Sequence, residues 1–110
     1  MANTYKVLGQ AAPTSTANVN LYTVPSGTAT VVSTIHVANV TGTDATVSIY
    51  VRVAGATAID ANALAKTVTV AKNSVFALTE GITLSAGDII TVATGTANAI
   101  TFHAFGSETN

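Results

Sequence analysis

The sequence predicts an all-β protein, an antiparallel β-sandwich or jelly-roll-like single domain of about eight short strands. Three observations lead there. Apolar and polar residues alternate with a period of two, as in Val47-Ser-Ile-Tyr-Val-Arg-Val53, where every odd position is β-branched. The runs are short and separated by clusters of Gly, Pro, Asn, Asp and Ser, the residues that turns require. Only Ala58–Lys66 is rich enough in Ala for a helical turn, and it is brief. At 110 residues the chain is one domain in length.

Taken in order, Tyr5–Gln10 opens the chain as a strand, and residues 11–20, AAPTSTANVN, read as an arm or loop. This divides the domain into an N-terminal strand and extended arm, 1–20, and a sandwich, 21–110. Val24-Pro-Ser-Gly27 has Pro second and Gly fourth, the preference of a type I turn. In the next run Val31, Ile35 and Val37 face one way, and Thr30, Thr34 and His36 the other. Thr41-Gly-Thr-Asp44 supplies turn chemistry between this run and Val47–Val53, so the two are expected to pair as an antiparallel hairpin. Leu64–Val70, Ser74–Thr79, Ile89–Thr94 and Ala99–Gly106 are further strands. Lys72-Asn73, Ser85-Ala-Gly-Asp88 and Gly95-Thr-Ala-Asn98 separate them. The apolar phase of Phe76, Leu78, Ile82 and Leu84 carries across Glu80-Gly81, which reads as a bulge or bend. Shared phase nominates Ile35, Val37, Val47, Ile49, Val51, Ile90, Val92 and Phe102 as core.

Charge excludes several functions. Charged residues make up 8% of the chain and the net charge is −1, against about 25% charged in an average domain. The four cations, Lys6, Arg52, Lys66 and Lys72, are scattered. A protein making ~6–10 phosphate contacts needs more of them, so no nucleic-acid partner is expected. Without cysteine there is no disulfide, thiolate metal site or thiol nucleophile. MANTYKVLGQ lacks the regions of a secretory signal, and no run approaches the ~18 apolar residues of a membrane helix. No membrane association is expected. The mean hydropathy of +0.49 comes from 20 Ala, 20 Thr and 14 Val. Small neutral side chains must therefore occupy outer faces where charges normally keep a monomer soluble. Burial in subunit contacts reconciles the two.

The residues that bear chemistry are sparse. His36 and His103 fall at outward phases, and no short spacing ties them into a metal site. They read as polar residues on outer strand faces or at an interface. Asp44, Asp60, Glu80, Asp88 and Glu108 stand singly, and there is no Asp-rich calcium loop, Gly-x-Ser-x-Gly elbow or phosphate-binding glycine loop. Asn39-Val-Thr41 fits a glycosylation sequon by chance at a strand end. Few aromatics and no tryptophan argue against a stacking platform for carbohydrate. Tyr22 and Tyr50 read as packing or rim residues. No catalytic, cofactor-binding or metal-ligating residue is assigned, and no enzyme or cofactor is expected.

Several stretches together resemble a known family. They are Tyr5-Lys-Val-Leu-Gly-Gln10, Leu21-Tyr-Thr-Val-Pro25, Val31-Val-Ser-Thr-Ile35 with Asn39, Gly81-Ile-Thr-Leu-Ser-Ala-Gly-Asp-Ile-Ile-Thr-Val92 and Phe105-Gly-Ser-Glu108. In order and spacing they resemble small all-β virion structural proteins of tailed bacteriophages, of the marine and cyanobacterial phage type. The resemblance implies a non-catalytic part of the particle. Its first implication is a capsid decoration (cement) protein on the outer surface of the head, a homotrimer whose partner is the phage major capsid protein. Its alternative is a tail, neck or fibre-associated component, structural or receptor-binding, contacting tail proteins. A virion protein assembles in the host cytoplasm and leaves by lysis, so it needs no export signal. The family offers no ligand motif to transfer. Ala2–Asn20 is the expected arm toward a neighbour.

Overall fold

The computed structural model describes residues 2–110. In chain order the strands are β1 (Asn3–Ala11), β2 (Val19–Thr23), β3 (Ala29–Asn39), β4 (Ala45–Arg52), β5 (Ala63–Val70), β6 (Val75–Leu78), β7 (Ile82–Leu84), β8 (Ile89–Thr94) and β9 (Ile100–Thr109). They form two antiparallel sheets. The first runs β1-β9-β3-β6, with β7 on the same edge of β3 as β6. The second runs β2-β8-β4-β5. Successive strands mostly change sheets, so the two layers form the expected antiparallel β-sandwich.

The inward phase of each strand forms a single core. Ile35, Val37, Ile49, Ile90, Val92 and Phe102 are fully buried, and Val47 nearly so. Val51, expected among them, is half-buried and packs on the rim of the cluster. It lies at the end of β4, next to the irregular connection that follows.

Three expectations are corrected. The hairpin between the Val31–Val37 and Val47–Val53 runs does not form: β3 pairs with β9, β6 and β7, while β4 pairs with β5 and β8. Residues 40–44 cross between layers instead. Asn39, only 3% exposed, anchors that crossing with its amide. It donates to the Thr43 and Val70 carbonyls (2.8 and 3.0 Å) and accepts from the Thr41 N–H and hydroxyl (3.0 and 2.8 Å). The sequon residue is thus a structural turn. Second, Val31 and Thr30 exchange faces. A register shift between Val32 and Thr34 inserts Ser33, so Thr30 is buried and Val31 exposed. Third, the turn after Val24 closes one residue later, with the Thr28 N–H donating to the Pro25 carbonyl at 3.2 Å. Gly27 at φ 70° occupies its third position, the geometry of a type II turn.

The Ala-rich stretch supplies a single 3-10 turn at Asp60–Asn62 before β5 begins. Glu80-Gly81 breaks the β6/β7 edge, with Gly81 at φ 65°. Residues 3–11 run along β9 as an edge strand, and the two chain ends are joined by reciprocal bonds between Ala2 and Asn110 of 3.1 and 3.2 Å. Opposite Leu21, β1 passes so near the backbone of β2 that a Cβ on Gly9 would collide with the Leu21 carbonyl. Glycine is required there by close approach of the layers.

Candidate functional site

The outer face of the first sheet collects what a sandwich normally buries. In β9 the inward phase is Ile100, Phe102 and Ala104, so Thr101, His103 and Phe105 point outward. Register then sets three rows. Gln10, His103, His36 and Ala77 form one across β1, β9, β3 and β6; Val7, Phe105 and Thr34 form the next; Tyr5, Ser107, Val31 and Thr83 the third. Tyr5 is 82% exposed, Val75 63%, Val7 50%, Val31 43% and Phe105 38%. Over half of the large exposed apolar side chains among the described residues are therefore on this face. No Asp, Glu, Lys or Arg faces outward from its strands, since Lys6 turns to the other side to meet Glu108 at 2.9 Å. A hollow of about 350 Å³ lies between Tyr5 and Val31, bounded also by Lys6, Ser33, Phe105, Gly106 and Ser107.

The sheet unites the two histidines that spacing left apart. His36 and His103 are direct cross-strand partners, with ring centroids 6.3 Å apart at 67°. His103 also stacks on Phe105, centroids 6.1 Å apart and rings within 6° of parallel. Its Nδ1 is enclosed without a hydrogen-bond partner. Among the described residues no three His, Cys, Asp or Glu side chains come together as a metal set. The pair is accordingly part of an aromatic patch.

The second sheet has a different exterior. Arg52 donates to Asn20 Oδ1 and Thr91 Oγ1 (3.1 and 3.3 Å), and Thr91 donates to Asn20 at 3.0 Å. Lys66 reaches over the Tyr50 ring, 5.8 Å from its centroid, and bonds Asp60 at 2.8 Å. These groups are satisfied and polar. The same Arg52 holds the connection after β4 through the Ala56 and Gly55 carbonyls (2.7 and 3.1 Å), while Asp88 accepts from the Ala54 N–H at 2.9 Å. The connection is thereby pinned with Val53 (66%) and Ile59 (54%) exposed, close in sequence to exposed Leu64 (39%). This is a second, smaller apolar region.

The ionisable groups with shifted affinities serve structure. Tyr22 is pushed up to about 12, first by burial and then by its 2.6 Å bond to Glu108. The hydrogen bond from Tyr22, followed by the one from Lys6, holds Glu108 below its ordinary value. Together with Thr30, 2.7 Å from the Tyr22 hydroxyl, they tie β2 to the first sheet. Neither group is poised to exchange a proton near neutrality, which general acid–base catalysis needs. Asp60 is lowered and Lys66 raised by their mutual hydrogen bond at the surface.

No protein-family model matches the chain, and no curated protein does. Among solved structures, the chain is similar to one described as the structure of infectious bursal disease virus Gt strain, at 11% identity and a TM-score of 0.46. The match covers 96% of this chain but 31% of the other, so the chain spans under a third of that protein's length.

The sequence does not mark this face. Tyr5, Val7 and Val31 read as ordinary strand residues, and only the register of four strands shows that their apolar side chains share an exterior. The faint signal is that β1 and β3 carry bulky apolar residues in both phases, Val31-Val32 being the clearest case.

Proposed function

We propose that this protein is a non-enzymatic virion structural protein of a tailed bacteriophage. In this reading it is a capsid decoration protein, a homotrimer bound to the major capsid protein lattice on the outer surface of the head. One observation carries the proposal: apolar surface is left uncovered in two places, the outer face of the first sheet and the pinned Val53–Leu64 region of the second. Exposed apolar surface left uncovered on a folded domain marks candidate interaction sites. A protein that joins its own copies and also grips a lattice needs two of them. The kind of assembly comes from the resemblance of Tyr5–Gln10, Leu21–Pro25 and Gly81–Val92 to phage virion proteins. Residues 1–20 contribute to neighbour contacts in this reading, through Tyr5 and Val7. Contacts repeated over a lattice need not be strong singly, because each bound copy raises the effective concentration for the next contact.

The test is cosedimentation of the protein with phage heads stripped of this component and, separately, with purified tails, at low and high salt. Binding to heads with little salt dependence is expected, since neither apolar region relies on charge. Ile59→Lys should lower occupancy on heads while the protein stays folded. Binding to tails alone would move the protein to the tail, and binding to neither would end the reading.

A further inference from the structure

Resting on the reading of the protein as an assembly component, we infer that the outer face of the first sheet is where one copy of this chain meets another. Three features select a second copy as the occupant. The first is charge. The strands of this face present no Asp, Glu, Lys or Arg outward, so a symmetry-related copy meets it without like-charge opposition. Depletion of charge with retention of aromatic residues is the composition of an interface centre.

The second is area. The face is four strand lanes wide, and β1 and β9 are 9 and 10 residues long. At ~4.8 Å between strands and ~3.4 Å per residue, that is roughly 600 Å² in projection. Side-chain relief raises the accessible area toward the ~800 Å² per partner of a standard specific interface. Two neighbouring copies around a three-fold axis are large enough to cover this face between them, while a single strand or loop is not.

The third is shape. Tyr5, 82% exposed, stands at the rim of the hollow that Lys6, Val31, Ser33, Phe105, Gly106 and Ser107 also line. Projection and socket lie at different places on one surface, so Tyr5 of each copy can enter the hollow of the next around a three-fold axis, a heterologous contact that closes into the trimer. Tyr5 of one copy enters the hollow of its neighbour and brings its ring against Phe105. His36 and His103 are then enclosed with it in the same contact.

The experiment is sedimentation velocity on the full chain over a concentration series reaching about 100 µM, because association depends on concentration. Tyr5→Lys and Val31→Lys are compared with Thr69→Lys, which lies on an exposed position of the second sheet. Circular dichroism establishes that each variant is folded. Wild type and Thr69→Lys should be oligomeric, and the two face variants should dissociate to the 11.0 kDa monomer or weaken at least about tenfold in association. A monomeric wild type, or folded face variants as oligomeric as wild type, would overturn the inference. The first case combined with loss of head binding in Tyr5→Lys would assign the face to the lattice instead, leaving the proposed function standing. Oligomers that depend on this face but bind no particle would do the reverse.

Discussion

Replacing Asn39 with Ala should be among the most damaging single changes on the periphery of the core. Its amide uses both donors and its carbonyl accepts twice, so one side chain satisfies the Thr43 and Val70 carbonyls, the Thr41 N–H and the Thr41 hydroxyl. The bond to Val70 is fully buried and the other three are partly so. Orphaning one buried carbonyl costs about 1–3 kcal/mol, and three partly buried bonds about 0.5–1 kcal/mol each. The expected loss is ~2.5–6 kcal/mol, a large part of the 5–15 kcal/mol that holds a typical domain together. Asn39→Asp sharpens the test. It keeps the acceptor toward Thr41 but sets a carboxylate oxygen against the Val70 and Thr43 carbonyls, so at neutral pH it should be no better than Ala. Urea unfolding at one fixed protein concentration measures both. If Asn39→Ala loses less than about 1 kcal/mol, the crossing between layers is held by something else and the reasoning fails.

Two further outcomes follow from the core and from Tyr22. Ile49, fully buried on β4, should cost ~2–5 kcal/mol on truncation to Ala, and an unchanged unfolding midpoint would remove it from the core. The Tyr22 hydroxyl should make stability fall as pH rises from 10 to 12, because its pKa is about 12 folded against an ordinary 10.0 and the unfolded chain releases its proton first. Tyr22→Phe should flatten that part of the profile, and parallel profiles for the two proteins would show that the hydroxyl is not so held.

Alternation revealed the core well because burial on one strand face is a local property. Ile35, Val37, Val47, Ile49, Ile90, Val92 and Phe102 needed only their own neighbours to be read. Pairing is not local. Thr41-Gly-Thr-Asp44 suits a hairpin turn and a crossing between sheets equally, and the choice is made by Val70, far along the chain, whose carbonyl takes up the Asn39 amide. The same holds for Val31, whose direction depends on one inserted residue at Ser33, and a period of two has no memory across a bulge. The candidate contact face was legible only faintly, as a deficit of charge and as bulky apolar residues in both phases of β1 and β3. Its position required knowing that β1, β9, β3 and β6 lie side by side.

The place of β9 bears on how a copy is made. Of the nine described strands it is the last in chain order, yet it lies inside its sheet, between β1 and β3. While the ribosome is still adding residues before Ile100, those two strands have no partner between them, and Ile35 and Val37 lack the cover of Phe102. Pairings between such distant segments place folding in the slow, millisecond-to-second class of all-β topologies. The strand whose arrival closes the core also brings His103 and Phe105 to the exterior. Until β9 is in place, the outer face of the first sheet is therefore incomplete.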